Sequence, residues 1–169
     1  KLEYTFTGHQ NIVSAVRFSN NDSYVITGSV DSTIKIWKRN TGEVIRQMKQ
    51  PQGISYLDVS ADGKYIATGS YDSKVRIWSA EDGKLIREFS GQKGTVWTVA
   101  FSIDGTKVAA SGDDGVIRIY NIASAKMIRK LKGHRRIVWS VKFNNDGTQL
   151  ASGSFDYTVK LWNVNDGSL

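Results

Sequence analysis

Short segments in which apolar and polar residues alternate recur along the whole chain, and this period of two predicts β-strands. Near the end, residues 137–143 (IVWSVKF), 150–154 (LASGS) and 158–162 (TVKLW) have this pattern. The turns at 145–147 and 165–167 both read Asn-Asp-Gly, and Asp-Gly is favoured in tight hairpins. In the second and third repeats a further strand is visible, at residues 84–89 (KLIREF) and 126–131 (KMIRKL). No segment has a convincing helical period, so we expect an all-β chain of antiparallel strands.

The pattern recurs four times, with a period of about 42 residues, which is typical of an array built from one supersecondary unit. An aromatic residue marks each repeat, at Trp37, Trp78, Tyr120 and Trp162. An aspartate lies six residues before each of them, at Asp31, Asp72, Asp114 and Asp156. We therefore interpret the chain as a single array of four-stranded units with approximate bounds 7–48, 49–89, 90–131 and 132–169.

The two ends of the chain complement each other in pattern. Residues 1–6 (KLEYTF) resemble the strand at 84–89, although they belong to no unit of their own. The last unit stops after its third strand, within residues 166–169. We expect residues 1–6 to act as the closing outer strand of a unit that otherwise lacks one.

The chain resembles the WD-repeat family of β-propellers over its whole length. Gly8-His9 and Gly133-His134 match the Gly-His pair of that family, and Ile36-Trp37, Ile77-Trp78 and Leu161-Trp162 match its closing aromatic. The Asp that normally follows the Trp is replaced by Lys38, Ser79, Asn121 and Asn163, and Tyr120 stands for the Trp of the third repeat. The resemblance implies a propeller, here with four blades of four antiparallel strands.

The resemblance also implies a structural hydrogen-bond network in each blade, from Trp through Ser or Thr and His to Asp. By position, the first repeat has His9, Thr27, Asp31 and Trp37, and the fourth has His134, Ser152, Asp156 and Trp162. The second keeps Thr68, Asp72 and Trp78, whereas the third keeps only Asp114 beside Gln92, Ala110 and Tyr120. We therefore expect the third blade to be the softest and its amide hydrogens to exchange fastest.

The trio Ser152, His134 and Asp156 has the residue types of a hydrolase triad. The same arrangement recurs in the first repeat with Thr27, and a catalytic device is not usually duplicated at the repeat period. We interpret both sets as structural and expect no catalytic residues and no enzyme. The sequence contains no Gly-rich phosphate loop and no metal-ligand cluster, so we expect no cofactor and no metal.

Four repeats are fewer than the seven, six or eight blades that the resemblance implies. Three arrangements remain open: two chains joined head-to-tail in an eight-bladed ring, a fragment of a longer ring, or a strained four-bladed ring. We favour the homodimeric ring, because open blades would expose strand edges and apolar faces. The chain begins with Lys1, which we interpret as a piece of a longer protein or a trimmed or processed product.

Propellers of this family commonly bind peptides near the mouth of the channel, and two positions of each repeat are expected to project there. They are Ser14, Ser55, Trp97 and Trp139, and Val30, Tyr71, Asp113 and Phe155. We predict a partner-binding rim made of Trp97, Trp139, Tyr71, Phe155, Asp113 and Arg136. Alternatively, the two tryptophans only pack between blades, although a packing requirement should recur in every repeat.

The formal net charge of +7 is spread over the strands as on an ordinary basic surface, apart from one dense stretch at 126–136. Lys126, Arg129, Lys130, Lys132, Arg135 and Arg136 make this stretch an alternative site for nucleic acid or an acidic peptide. Cysteine is absent, which excludes disulfides and thiolate metal sites.

No apolar run approaches the roughly 20 residues that span a bilayer, and the chain does not start with a signal-peptide pattern. We expect an intracellular scaffold, cytoplasmic or nuclear, that has protein or peptide partners and does not contact membranes. A chain made to study propeller assembly, with no ligand of its own, is the remaining possibility.

Overall fold

A computed structural model describes residues 3–169 as fifteen β-strands in four antiparallel sheets, which confirms the all-β prediction. The first sheet contains β1 (Val13–Phe18), β2 (Tyr24–Ser29), β3 (Thr33–Lys38) and β4 (Val44–Lys49). The second contains β5 (Ile54–Val59), β6 (Tyr65–Ser70), β7 (Val75–Ser79) and β8 (Leu85–Phe89). The third contains β9 (Val96–Phe101), β10 (Lys107–Gly112), β11 (Ile117–Asn121) and β12 (Lys126–Leu131), and the fourth β13 (Val138–Phe143), β14 (Gln149–Ser154) and β15 (Val159–Asn163).

Each sheet, called a blade below, follows chain order from its first strand to its outermost strand. The fourth blade has three strands within residues 3–169, as the pattern of the last unit indicated, and not the four strands per blade expected from the family resemblance. The predicted closing strand 1–6 includes Lys1 and Leu2, which lie outside the described residues. The rest of that segment forms no strand, and its Phe6 ring stacks on Trp37 at a centroid distance of 5.7 Å.

The apolar core lies between blades rather than inside them. Inner strands of consecutive blades pack side by side, β1 on β5, β5 on β9, and β9 on β13. At the first boundary, Ile34 and Ile36 of one blade cluster with Ile54 and Leu57 of the next. Two further clusters repeat this arrangement at the second and third boundaries. Each fully buried aliphatic side chain stabilises its boundary by about 1.5–3 kcal/mol, so every inner blade depends on both neighbours.

The glycine of each Gly-His pair permits close packing of the indole. Gly8 lies 3.2 Å from Trp37, measured from the position that a Cβ would occupy, and Gly133 lies 2.9 Å from Trp162. Any larger side chain would displace the indole from the polar network beneath it.

The first and fourth blades bring together the network residues that the resemblance implies. The Trp37 indole Nε1 donates to Thr27 Oγ1 at 2.7 Å, and His9 joins Thr27 (2.7 Å) to Asp31 (2.9 Å). In the fourth blade, Trp162 Nε1 donates to Ser152 Oγ at 2.8 Å. His134 then joins Ser152 (2.7 Å) to Asp156 (2.8 Å).

The second blade links the same positions with a different residue. Trp78 Nε1 donates to Thr68 Oγ1 at 3.1 Å, and Thr68 donates to Gln50 Oε1 at 3.0 Å, where the first and fourth blades have His. The Asp72 carboxylate instead receives Arg76, whose Nη2 lies 2.7 Å from Oδ2. Arg76 is buried, and its guanidinium contacts Asp72 in place of the histidine that contacts the aspartate in the first and fourth blades.

The third blade contains a hydrogen-bond network that the family resemblance did not imply. Arg118 donates to both carboxylate oxygens of Asp114, at 2.7 and 3.2 Å, and to Gln92 Oε1 at 2.8 Å. Gln92 Nε2 donates to the Ala110 carbonyl at 3.1 Å. The expectation of a soft third blade assumed that Asp114 had no such partners, so its stated reason no longer holds.

The turn aspartates of the first and fourth blades are held as carboxylates. Burial of Asp31 raises its pKa, but hydrogen bonds from Thr33, the Gln10 amide and His9 outweigh burial and hold that pKa well below its usual range. A hydrogen bond from Thr158 is the main cause of the lowered pKa of Asp156. Both carboxylates therefore favour the folded state as long as they remain ionised.

We expect Arg118→Met to lower the free energy of unfolding by about 3–5 kcal/mol, because it leaves the Asp114 carboxylate without its buried partner. Urea unfolding followed by tryptophan fluorescence measures this change. The matched control is Lys160→Met, at the equivalent position of the fourth blade, where His134 already holds the aspartate. Equal losses for the two variants would contradict a specific role for Arg118.

We also expect stability to fall as the pH drops below about 4, the ordinary pKa of an unfolded Asp. A lowered folded pKa contributes stability above the unfolded value, and this contribution is lost as the carboxylate protonates. Asp156→Asn removes one such group, so its free energy of unfolding should change less than that of the wild type between about pH 4 and 2. Urea midpoints at several pH values test this, and parallel curves for the two proteins would refute it.

Candidate partner-binding site

Four equivalent positions in the first strands project at one edge of the blades because each is the extra residue of a β-bulge. The pairing of β9 with β10 runs from Thr98–Ser111 to Val96–Gly112 and leaves Trp97 out. The same shift leaves out the equivalent residue in the other three blades, Ser14, Ser55 and Trp139. A bulge re-aims the side chain that it carries, and the sequence pattern alone did not reveal it.

The four predicted aromatic residues form one continuous row, called the aromatic row below. Tyr71 meets Trp97 edge-on at 5.8 Å between ring centroids, with the planes at 88°. Trp97 stacks on Trp139 at 5.2 Å, and Trp139 stacks on Phe155 at 5.5 Å. The row thus joins the second, third and fourth blades, and three of its rings are exposed at the surface.

Asp113 holds the Trp97 ring of the row in place. Its carboxylate accepts a hydrogen bond from Trp97 Nε1 at 2.6 Å and another from the Thr95 amide at 2.7 Å. The indole donor of Trp97 is therefore already used within the chain. Asp113 itself remains exposed beside the row.

The serines at the same position in the first two blades have another role. Ser14 Oγ donates to the Ile54 carbonyl of the next blade at 2.6 Å, and Ser55 Oγ donates to the Val96 carbonyl. They therefore tie neighbouring blades together. Trp97 replaces this link by stacking on Trp139, so it serves packing and the exposed row together.

The guanidinium of Arg136 is engaged with a ring outside the row. Its guanidinium carbon lies 5.9 Å from the centroid of Tyr157, within cation–π range. Tyr157, which the repeat pattern did not indicate, is almost fully exposed in the turn after β14. Its place beside Phe155 and Asp156 in sequence was the available signal.

The basic stretch 126–136 is divided by the fold. Residues 126–131 form β12, the outermost strand, whereas 132–136 lie in the loop that leads to β13. Arg129 is used within the chain, where it donates to the carbonyl groups of Ile128 and Asn165. The stretch therefore does not form one compact cationic surface.

The triad-like residues are tied into the fourth blade, and Asp156 directly follows Phe155 of the row. Ser152 Oγ contacts the Trp162 indole as well as His134, and Ser152 is buried. Ser152 is thus buried and held by two side-chain hydrogen bonds within the blade. Within residues 3–169 no group of three or more His, Cys, Asp or Glu side chains is arranged to hold a metal ion. The same part of the chain has no helix long and apolar enough to cross a membrane.

Curated proteins with detectable similarity match about one third of the chain. Eukaryotic translation initiation factor 3 subunit I of Aspergillus oryzae is 34% identical over 59 residues, which cover 35% of this chain and 18% of that protein. The subunit I proteins of Neosartorya fischeri (32% over 59 residues) and Meyerozyma guilliermondii (34% over 58 residues) cover 35% and 34% of this chain and 17% of their own length. The matched region is thus less than a fifth of the relatives' length.

The sequence also matches the family described as "WD domain, G-beta repeat" four times, at residues 1–38, 42–79, 83–121 and 125–163. Each match after the first begins near the outermost strand of one blade and ends with the third strand of the next. Since these matches span most of the chain and agree with its four sheets, the protein belongs to the WD-repeat family.

Proposed function

We propose that the protein is a non-enzymatic scaffold that binds a peptide or protein partner along the aromatic row. The observation that carries this proposal is a continuous run of four aromatic rings at one edge of three blades. Trp139, near its centre, has 52% of its surface exposed. Tyrosine and tryptophan anchors of this kind contribute most of the binding energy in many protein interfaces.

The stacking limits how a partner would approach. Trp139 contacts Trp97 and Phe155 through its ring, so its outward edge is the surface on offer. A partner segment would therefore lie along the row and place apolar side chains against successive rings. Asp113, bonded to Trp97, and Arg136, which lies over Tyr157, carry opposite charges and would orient polar groups of the same segment.

The relatives support a protein partner. Their name marks them as a subunit of a translation initiation factor, and a subunit functions through contacts with other chains. We propose an intracellular location on the same ground. Binding of nucleic acid by the stretch 126–136 is less well supported, because the fold divides that stretch and uses Arg129 internally.

We expect Trp139→Ala to weaken binding of a row-directed peptide by at least about tenfold, which is the loss typical of an interface anchor. Peptides selected from a displayed random library against the wild-type chain serve as probes, and calorimetry gives their affinities. The matched control is Ile103→Ala, which removes an exposed apolar side chain from a turn between β9 and β10.

The affinities are measured at low and at high salt. Aromatic anchoring should survive salt, whereas contacts with phosphates lose affinity steeply. Peptides that bind Trp139→Ala as tightly as the wild type would refute the row as the site. A preference for nucleic acid that vanishes at high salt would favour the basic stretch instead.

We further propose that the scaffold works as a two-chain ring, in which a second copy covers both end faces. Val16 of the first blade is 55% exposed, although its equivalents Leu57, Val99 and Val141 are buried against a preceding blade. Val159 and Leu161 of the last blade are 77% and 59% exposed, although the matching residues of the other blades are buried against a following one.

The two faces have the chemistry of two halves of one boundary. Inside the chain, residues on the third strand of one blade pack on residues on the first strand of the next blade. The exposed face of the last blade presents third-strand residues, and the exposed face of the first blade presents first-strand residues. The outer-strand residues Met48, Phe89 and Leu131 belong to the same boundary clusters. Phe6 stacks on Trp37 just as Phe89 stacks on Tyr120. Residues 3–6 thus lie where the outer strand of a preceding blade would end.

We expect light scattering after size exclusion to give a molar mass of about twice 18.8 kDa for the wild-type chain. Leu161→Arg should give a folded monomer, because a charge replaces an apolar contact at the boundary. Leu85→Arg is the matched control, since Leu85 is exposed on the outermost strand β8 and should leave the dimer intact. A monomeric wild-type protein would refute the two-chain ring. Further blades of a longer chain would then be the remaining way to cover these faces.

A further inference from the structure

A cleft lies between the first and second blades, beside the turns that join β1 to β2 and β5 to β6. Its volume is about 490 Å³, within the usual range for ligand sites. The apolar part of its lining consists of Tyr24, Ile26, Ile36, Ile45, Tyr65 and Ala80. The cleft shares no side chain with the aromatic row.

One small residue distinguishes this cleft from those at the other two boundaries. Ala80 follows β7, and the equivalent positions after β11 and β15 are Ile122 and Val164. Ile122 is buried and clusters with Ile77, and Val164 is buried and clusters with Ile119. At the second and third boundaries, an aliphatic side chain therefore occupies the space that Ala80 leaves open at the first.

A compensating change fills only the deep part of the cleft. Ile26 stands where the next two blades have Ala67 and Ala109, and it is buried at the floor. Nearer the mouth, Ile45 is the extra residue of a bulge in β4 and remains 40% exposed. Its equivalents in the next two blades, Ile86 and Ile128, are partly buried within their clusters. The space beside Ala80 is thus open, with Ile26, Ile36 and Ile45 as its aliphatic lining and polar residues elsewhere in the cleft.

We propose that this cleft binds a branched aliphatic side chain, leucine or isoleucine, presented by a peptide segment of a partner. The two filled clefts specify the chemistry, because each takes an aliphatic group from the chain itself. Polar residues of the same lining, among them Asn20, Lys64 and Glu81, suit the backbone of such a segment. Arg46 donates to the Ala80 carbonyl at 2.9 Å and fixes one wall. The site is independent of the aromatic row.

The test uses N-acetyl-leucinamide as the probe and methyl NMR of isoleucine-labelled protein as the readout. The methyl signals of Ile36 and Ile45 should shift with a dissociation constant on the order of millimolar, as expected for so small a ligand. The signals of Ile77 and Ile119, which line the filled boundaries, should not move. N-acetylglycinamide, which lacks the aliphatic group, should shift none of the four.

Ala80→Ile fills the cleft as Ile122 fills its equivalent and should abolish the shifts. Ala123→Ile adds the same side chain to an exposed turn and should keep them. Ala80→Val, which introduces the side chain that Val164 has at the third boundary, repeats the experiment if the isoleucine variant unfolds. Absence of shifts at Ile36 and Ile45 would overturn the proposal, and so would shifts that persist unchanged in the filled variants. Trp139→Ala should leave probe binding intact, so the result is separable from that for the row.

Discussion

Burial of apolar surface between adjacent blades is the interaction on which the rest of this structure depends. Each sheet has two apolar faces, and a four-stranded sheet alone cannot cover either of them. The three boundary clusters contain most of the buried aliphatic and aromatic residues, whereas each sheet is held internally by its strand ladder. The stability of the fold consequently depends on pairs of adjacent blades. The end faces of the first and fourth blades, which no other blade within residues 3–169 covers, have apolar side chains that are exposed instead of buried.

The polar networks solve one recurring problem in two ways. Every blade needs a partner for the aspartate in the turn between its second and third strands. The first and fourth blades use an imidazole, and the second and third use a buried guanidinium on the third strand. Arg76 and Arg118 occur only in the two blades that have no histidine. The buried charge is tolerated there because a carboxylate receives it directly, and a Gln or Glu side chain makes a further contact.

Much of this architecture could be predicted from the sequence, because each structural position occurs once in each of the four repeats and can be compared among them. The strands, the turns and the shortened last blade came from the residue pattern and its spacing, and the members of the aromatic row came from the positions that the family resemblance implies. The arginine networks did not, because the charged residues on the strands were interpreted together as an ordinary basic surface, and the first and fourth blades have Lys35 and Lys160 at the position of these arginines. The cleft beside Ala80 was invisible too, since it results from two opposed changes in size, at Ile26 and Ala80, on different strands. Pairwise compensation of this kind becomes apparent only when the strands are placed next to each other.

The bulge at the start of each first strand has a consequence for how such an array diversifies. A residue in the regular ladder is constrained by its cross-strand partner and by the face that it shares with its neighbours. The bulged residue is free of both constraints, so its replacement leaves the pairing unchanged. Two serines that join blades and two tryptophans that form a surface occupy the same position on the same backbone. Surface chemistry can therefore change one repeat at a time, while the strand register of the blade stays the same.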